Sequence, residues 1–339
     1  MKPTFPRLFV ACGLGGLLSA CGGTGVGPSP LPTPTATPVN TRPVTVTTFL
    51  DENGNGVLDA GEGVRIPNVE IVAGSARATS GVLSGQATLQ LADGPQTLTV
   101  TAASLPPFYR PPAPISITVP TTGPVLAPIT LPRGSNQATL YMGFGDSITN
   151  GEAEVPDGSG YRNFLTNLLR AHFGAAEIAN EGRDGTNSDR GALRIGESLS
   201  RVRPAFTLIY YGTNDWNQCS SSAADCYTTA SLRSMVQQVN RSGSHAFLAT
   251  LMPVNVGYDD RAPASRNEWV AEENVLIRQV ADQEGAVVVD LNTAYFKSGL
   301  PNSALFVDHI HPTTAGYQIM AQTWFDAITK AYSRILSDF

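Results

Sequence analysis

Residues 138–151 read ATLYMGFGDSITNG, an apolar run that ends in Gly145-Asp146-Ser147. A continuous apolar run with turn residues after it is typical of a strand that is buried on both faces of a parallel sheet. Amphipathic helical patterns separate this run from four more, at residues 176–182, 205–215, 245–253 and 285–292. The alternation predicts a doubly wound parallel sheet of five strands over residues 138–339.

Polar motifs follow most of the predicted strands. Ser147 follows the first, the block 180–185 (NEGRDG) the second, and Asn214 the third, while Asp308 and His311 come after the fifth. In an open parallel sheet the ligand crevice lies beyond the carboxyl ends of the strands. We therefore expect these residues to meet at one edge of the sheet.

The residue types at this edge fit nucleophilic catalysis. A serine hydroxyl needs a neighbouring base, and His311 is the favoured candidate for Ser147. Asp308, three residues before His311, could accept the other imidazole N–H and fix the tautomer. Two alternatives remain: Ser147 could be only a helix N-cap, and His309 could replace His311 as the base.

The four motifs, taken together, resemble a known family. Gly-Asp-Ser at 145–147, a glycine at 185, Gly-Thr-Asn-Asp at 212–215 and Asp-His-Ile-His at 308–311 stand in the order of the SGNH, or GDSL, hydrolase superfamily. The resemblance covers residues 138–339 and nothing before them. It implies a flavodoxin-like three-layer α/β/α fold with a five-stranded parallel sheet. It also implies a serine esterase that forms an acyl-enzyme.

The same resemblance assigns the donors of an oxyanion hole. They are the backbone N–H of Ser147, the backbone N–H of Gly185 and the side-chain amide of Asn214, and Gly182 is an alternative to Gly185. Asp215 is expected to have a structural role. No cofactor is expected for catalysis.

The substrate is less well defined than the reaction. Residues 160–169 (GYRNFLTNLL) resemble the carbohydrate-acetylesterase branch of the family, such as acetylxylan esterases. We therefore expect short acyl groups such as acetyl on a carbohydrate. Trp216 could stack on a sugar ring, or it could pack its own loop. The alternatives are a lysophospholipase or thioesterase-type enzyme, and a surface-binding lipoprotein with a vestigial hydrolase domain.

Residues 44–133 contain short alternating apolar runs, which predict a small antiparallel β-sandwich. Within them, Asp51–Glu62 (DENGNGVLDAGE) matches the calcium-loop pattern and resembles calcium-binding repeats of bacterial surface adhesins. The expected ligands of a structural Ca²⁺ are the side chains of Asp51, Asn53, Asn55, Asp59 and Glu62 and the carbonyl of Val57. The alternative is an Asn-Gly turn that binds nothing.

Residues 1–20 have a basic start and a short apolar core, which predict an export signal. Leu18-Ser19-Ala20-Cys21 resembles a bacterial lipobox, which implies lipidation of Cys21 and a membrane-anchored lipoprotein of the cell envelope. A plain signal peptide cut near Ala20 is the alternative. Residues 21–43 are rich in proline and threonine and predict a linker.

Export predicts an oxidising compartment, so Cys219 and Cys226 are expected to form a disulfide. The net charge of −6 and the pI near 5.2 argue against a nucleic-acid partner. The expected partners are an ester substrate, such as an acetylated polysaccharide, and a membrane reached through the lipid anchor.

Overall fold

The computed structural model of the chain describes residues 40–151 and 158–330. The expected signal peptide, Cys21 and most of the expected linker lie outside these residues. The strands are β1 (Thr41–Leu50), β2 (Glu70–Ala73), β3 (Ala76–Thr79), β4 (Gln86–Ala92), β5 (Gly94–Val100), β6 (Ile115–Val119), β7 (Val125–Ile129), β8 (Gln137–Gly145), β9 (Glu177–Gly182), β10 (Pro204–Tyr210), β11 (His245–Ala249) and β12 (Val287–Val289). The α-helices are α1 (Ser147–Asn150), α2 (Tyr161–Phe173), α3 (Ser188–Val202), α4 (Trp216–Cys219), α5 (Thr228–Arg241), α6 (Ala264–Glu284), α7 (Leu291–Lys297), α8 (Asn302–Leu305) and α9 (Thr314–Thr329).

The first seven strands form two sheets, ordered β4-β1-β7 and β3-β2-β5-β6. The second sheet is antiparallel, as expected. In the first sheet β1 pairs antiparallel with β4 but parallel with β7, which departs from an all-antiparallel arrangement. A parallel pair needs a long connection, and four strands of the other sheet lie between β1 and β7 along the chain.

The start of β1 corrects one predicted boundary. The linker was expected to reach residue 43, but the strand begins at Thr41 and includes Pro43, which lies opposite Gln90 of β4. β7 pairs only with residues 46–50 of β1. At Pro43, the side of β1 that faces away from β4 therefore has no neighbouring strand. Proline is tolerated at such an edge because its missing N–H removes no hydrogen bond.

The remaining strands form the predicted five-stranded sheet. Its order is β12-β11-β10-β8-β9, and every neighbouring pair is parallel. Every residue of β10, the central strand, is buried. The flavodoxin-like α/β arrangement expected from the sequence is therefore confirmed. Within the described ranges, no helix has both the length and the apolar character needed to cross a membrane.

The strand order fixes where a site can form. The first strand of this sheet, β8, lies between β9 and β10. The chain leaves β8 towards β9 and leaves β10 towards β11, so the connections from these two neighbouring strands run in opposite directions. This switch point opens a crevice beyond the ends of the three strands. Gly145, Gly182 and Tyr210 are the last residues of these strands.

Two aromatic residues join the β-rich region to the amino-terminal edge of the parallel sheet. Phe108 stacks on His245, the first residue of β11, with ring centroids 4.3 Å apart. Tyr109 stacks at 6.2 Å on Phe206 of β10. Buried apolar residues from Val44 to Ile328 form one continuous cluster. The two regions therefore share a core rather than meeting across a solvated joint.

Candidate active site

Ser147 is the first residue of α1 and is held at the switch point. Asp146 is the N-cap of that helix, because its Oδ1 accepts a hydrogen bond from the Ile148 N–H at 3.0 Å. The cap role considered for Ser147 therefore belongs to its neighbour. Ser147 is only 6% exposed, and its hydroxyl is left for another partner.

That partner is His311. The Ser147 Oγ lies 2.9 Å from His311 Nε2, and His311 Nδ1 lies 2.7 Å from Asp308 Oδ2. The other oxygen of Asp308, Oδ1, accepts hydrogen bonds from the backbone N–H groups of Ile310 and His311. Partial burial raises the pKa of Asp308, but the hydrogen bonds from His311 and Ile310 outweigh it, so the pKa lies below its ordinary value.

These contacts define the protonation pattern that the site can use. An ionised Asp308 accepts the Nδ1–H of His311, which leaves Nε2 free to accept the Ser147 proton. Such an arrangement can activate the serine as a nucleophile and later return the proton to a leaving group. The sequence brought these three residues to one edge, and the structure brings them within hydrogen-bond distance.

His309 does not take the place of His311. Its side chain is buried, and its Nδ1 has no hydrogen-bond partner among the described residues. Burial lowers its pKa, although the Asp308 carboxylate acts in the opposite direction. Pro312 directly precedes Thr313, the N-cap of α9, and lies outside that helix. It bridges to Phe306 and closes the loop that carries His311.

The two glycines of the second motif lie in different surroundings. A Cβ added to Gly182 would come within 2.2 Å of the Asn150 backbone nitrogen, and the Gly182 N–H donates to Asn180 Oδ1 at 3.0 Å. Gly185 has a φ of +64°, and an added Cβ would meet nothing within 4 Å. The space that a side chain at Gly185 would enter is therefore open, while Gly182 is packed against α1.

The side chain of Asn214 forms hydrogen bonds with two segments that border the crevice. Its Nδ2 donates to the Thr186 carbonyl at 3.1 Å and, over 3.4 Å, to Asp146 Oδ2. Asp146 has no exposed surface, and burial raises its pKa to about 7. The side-chain amide of Asn214 thus bridges the loop after β9 and the residue that precedes Ser147.

Comparison with known proteins identifies the family of the chain. Residues 144–319, more than half of the chain, match the GDSL-like lipase/acylhydrolase family. The chain belongs to this family. Over 216 residues, the GDSL hydrolase is 26% identical to an acetylxylan esterase from Geobacillus stearothermophilus, with 58% of this chain and 95% of the relative covered. The expectation of an ester hydrolase is confirmed.

Similar solved structures include the acetylxylan esterase from Geobacillus stearothermophilus. Its crystal structure has a TM-score of 0.49 and 23% identity, covering 59% of this chain and 99% of that one. A lipase/acylhydrolase from Enterococcus faecalis has a TM-score of 0.46 and 21% identity, covering 56% of this chain and 95% of that one.

Asp215 of the GDSL hydrolase holds together the segments that carry the site. It is fully buried, and its carboxylate accepts hydrogen bonds from the Ser188 N–H at 2.9 Å and from the Thr228 hydroxyl at 2.7 Å. These contacts join the loop after β10 to the first residues of α3 and α5. The structural role expected for Asp215 agrees with these partners.

One residue that positions the histidine loop was missed in the sequence. Asn255 lies after β11 and donates its backbone N–H to the His309 carbonyl at 3.0 Å. Its side-chain Nδ2 donates to the Asp308 carbonyl at 3.1 Å. Val254, Ala262 and Ile310 form a small apolar cluster beside these bonds. No local pattern marks Asn255, because its partners are more than fifty residues away.

The loop after Asn214 is closed by a disulfide. The sulfur atoms of Cys219 and Cys226 lie 2.06 Å apart in the structure. Trp216, at the start of this loop, is partly buried and meets Trp269 edge to face at 5.9 Å. This contact favours the packing interpretation of Trp216 over a free sugar-stacking surface.

The expected calcium loop has its oxygen-bearing side chains close together. Asp59 Oδ2 accepts from the amides of Asn53 at 2.7 Å and Asn55 at 2.9 Å. The Glu62 carboxylate spans the loop, because it accepts from the N–H groups of Glu52 and Asp59. No group of three or more His, Cys, Asp or Glu residues suited to a metal occurs in residues 40–151 and 158–330, so a site here would need amide and carbonyl oxygens as well.

Two carboxylates of this loop lack a cationic partner. Asp51 and Glu62 are 6% and 5% exposed, and neither forms an ion pair within the described part of the chain. Asp51 accepts backbone N–H groups of Gly54 and Gly56 instead. Buried carboxylates without a counter-charge are costly, and a bound cation would neutralise them. The residues present therefore fit Ca²⁺, which prefers oxygen ligands.

Proposed function

We propose that the protein is a serine esterase in which Ser147 is the nucleophile, His311 the general base and Asp308 the orienting carboxylate. The hydrogen-bond chain from Ser147 Oγ to His311 at 2.9 Å and on to Asp308 at 2.7 Å carries this proposal. This series of hydrogen bonds passes through the His311 imidazole. Nε2 has Ser147 as its partner, and Nδ1 has Asp308. That is the arrangement that proton transfer from the serine needs.

The reaction would proceed in two halves. In the first, Ser147 Oγ attacks the ester carbonyl carbon while His311 Nε2 takes the hydroxyl proton. The tetrahedral intermediate then collapses, the alcohol leaves with that proton, and an acyl-serine remains. In the second half, water attacks the acyl-serine, again with His311 as the base, and releases the carboxylic acid.

Three donors would stabilise the negative charge of each tetrahedral intermediate. They are the N–H groups of Ser147 and Gly185 and the Nδ2 of Asn214. The longer of the two Asn214 contacts, 3.4 Å to Asp146, is the one that an oxyanion would replace. Loss of one such donor typically lowers kcat by about 10²–10³.

Hydrolysis of p-nitrophenyl acetate tests the nucleophile. Ser147→Ala is expected to reduce the rate to background, because the acyl acceptor is removed. Ser231→Ala is a matched control, since Ser231 is a buried serine on α5. Equal rates for wild type and Ser147→Ala would remove Ser147 from the mechanism.

We further propose that the substrate is a short-chain ester, such as an acetyl group on a carbohydrate. The 26% identity to a protein named acetylxylan esterase supports this choice over a long-chain lipid. A panel of acetylated xylo-oligosaccharides, lysophospholipids and acyl thioesters tests it. Preference for the acetylated sugars is expected. A higher kcat/KM on lysophospholipids or thioesters would replace the carbohydrate proposal while leaving the serine mechanism intact.

For the β-rich region we propose a structural Ca²⁺ held by Asp51, Asn53, Asn55, Asp59 and Glu62 and the Val57 carbonyl. The two buried, unpaired carboxylates support it. The ion would supply positive charge to the loop, and no step of ester hydrolysis passes through it. Thermal unfolding with and without calcium tests this proposal.

We also propose that the protein is an exported lipoprotein anchored through Cys21. The sequence Leu18-Ser19-Ala20-Cys21 at the end of an apolar segment supports it. Mass spectrometry of the mature amino terminus should find a diacylglycerol-modified cysteine, and Cys21→Ser should release the protein from the membrane fraction. An unmodified mature amino terminus would instead support a plain signal peptide.

A further inference from the structure

A buried arginine joins the carboxyl ends of three strands beside the proposed oxyanion hole. Arg194 lies on α3 and is 9% exposed. Its Nη2 lies 3.0 Å from the carbonyl of Gly145, which ends β8, and 2.6 Å from the carbonyl of Glu181 in β9. The same atom lies 2.7 Å from the hydroxyl of Tyr211, which directly follows β10.

The hydrogen bonds beyond Tyr211 can run in only one direction. Arginine cannot accept, so the Tyr211 oxygen accepts from Arg194 and its proton is free for Thr186 Oγ1, 3.0 Å away. The Thr186 hydroxyl then donates to the Arg183 carbonyl at 2.6 Å. A directed chain therefore leads from the buried guanidinium to the loop of residues 183–186, which contains Gly185.

This loop is also fastened to the other proposed donors. The Arg183 N–H donates to the Gly145 carbonyl at 2.9 Å, two residues before Ser147. The Thr186 carbonyl accepts from Asn214 Nδ2 at 3.1 Å. The Gly185 loop is thus tied at one end to the strand of the nucleophile and at the other to the oxyanion amide.

Stability alone is a weak reason for an arginine at this place. Its Nε and Nη1 have no hydrogen-bond partner among the described residues, and its ion-pair distance to the Glu181 carboxylate, from Nη1 to Oε2, is 3.7 Å. The guanidinium otherwise packs at 4.0 Å over the Phe144 ring. Replacing a whole buried ion pair with apolar side chains is often neutral or stabilising, so the pair of Arg194 with Glu181 is by itself weak evidence for a stabilising role. The hydrogen bonds of Arg194 and Tyr211 have a second consequence: they fix the distances between the loops that follow β8, β9 and β10.

We propose that Arg194, Tyr211 and Thr186 are positioning residues that hold the oxyanion donors at Ser147, Gly185 and Asn214 in register. The inference rests on the proposed esterase mechanism. It assigns to this network a contribution that appears only when charge develops on the substrate oxygen, because preorganised donors stabilise the transition state more than the ground state.

Tyr211→Phe tests the network with the smallest change. It removes the hydroxyl between Arg194 and Thr186 and keeps the ring that packs on Phe144. With p-nitrophenyl acetate, kcat should fall about tenfold while KM stays within about twofold, a smaller loss than for removal of a donor itself. Tyr141→Phe is the control, because Tyr141 is also buried but belongs to β8 and stacks on Phe206.

A second pair of variants separates positioning from folding. Thr186→Val removes the hydroxyl at similar volume, and Thr186→Ser keeps it, so valine should reproduce the loss in kcat and serine should restore it. A p-nitrophenyl methylphosphonate, which forms a tetrahedral adduct on the nucleophile, should inactivate the valine variant about tenfold more slowly than the serine variant.

The outcomes are distinguishable. If wild type hydrolyses the ester but Tyr211→Phe and Thr186→Val keep its kcat and inactivation rate, the network has no positioning role. The same conclusion follows if kcat falls equally in Tyr141→Phe. If wild type itself is inactive on every ester tested, the proposed function fails instead.

Discussion

The ring of Phe108 lies almost parallel to that of His245, with an interplanar angle of 16° and a centroid distance of 4.3 Å. Phe108 comes from the β-rich region, and His245 begins β11, an interior strand of the parallel sheet. Tyr109 extends the same contact by stacking on Phe206. An apolar interface of this kind couples the unfolding of the two regions.

A destabilising substitution in the β-rich region should therefore also lower the unfolding temperature of the α/β region. Ile71 is fully buried in β2, and Ile71→Ala should cost about 2–5 kcal/mol of unfolding free energy. All three tryptophans lie between residues 216 and 324. The tryptophan-fluorescence transition should move down together with the far-UV circular dichroism transition. A fluorescence transition that stays at the wild-type temperature would show independent domains.

The parallel sheet and its site edge could be predicted because their signals are local. Apolar runs separated by helical periods mark the five strands along the chain, and most of the chemistry-bearing residues follow directly after strands. Ser147, Asn214 and Asp308 were placed at one edge for this reason. Family resemblance then supplied Gly185, which no local pattern separates from Gly182.

The contacts that hold the site in place could not be predicted in this way. Arg194, Asn255 and Phe108 act through partners far along the chain, and each sits in a segment whose local pattern reads as ordinary helix or loop. The parallel pairing of β1 with β7 is hidden for the same reason. Long-range pairing depends on how the layers close, which one sequence does not reveal locally.

Asn255→Ala should weaken catalysis without touching the triad. The change removes the donor to the Asp308 carbonyl and leaves the backbone bond to His309, so the histidine loop gains freedom. We expect kcat to fall about threefold to tenfold with little change in KM, in line with the loss of one hydrogen bond. Steady-state kinetics with p-nitrophenyl acetate measure this. Asn240→Ala, at the end of α5, is a matched control.

Asp146→Asn should change the pH dependence of the unfolding free energy. Burial raises the pKa of Asp146 to about 7, whereas an unfolded aspartate has a pKa near 4. Between these values the folded state binds more protons than the unfolded state. Stability contributed by this group is therefore full below about pH 4 and is lost as pH rises towards 7, by at most about 1.4 kcal/mol per pH unit.

Asparagine does not titrate, so urea unfolding of Asp146→Asn at pH 4.5 to 7.5 should show a flatter dependence than wild type. Its amide would also present a donor to Asn214 Nδ2 in place of an acceptor, and kcat should fall about tenfold. Asp282→Asn, which changes an exposed carboxylate on α6, is the control. Parallel pH slopes in wild type and Asp146→Asn would contradict the buried-carboxyl interpretation.

Calcium should stabilise the whole described body rather than the β-rich region alone. A ligand that binds only the folded state at a hundred times its Kd adds about 2.7 kcal/mol, and the shared core passes this gain to the α/β region. The tryptophan-detected Tm should therefore rise by several degrees in calcium relative to EDTA.

Glu62→Gln should abolish the shift, because it removes one of the two buried charges. Asp93→Asn should keep it, since Asp93 is an exposed carboxylate paired with Arg42. Ester hydrolysis at room temperature should be unchanged by EDTA, because the loop of residues 51–62 contributes none of the proposed catalytic groups. Identical melting curves in calcium and EDTA would leave Asp51–Glu62 as a turn without a metal.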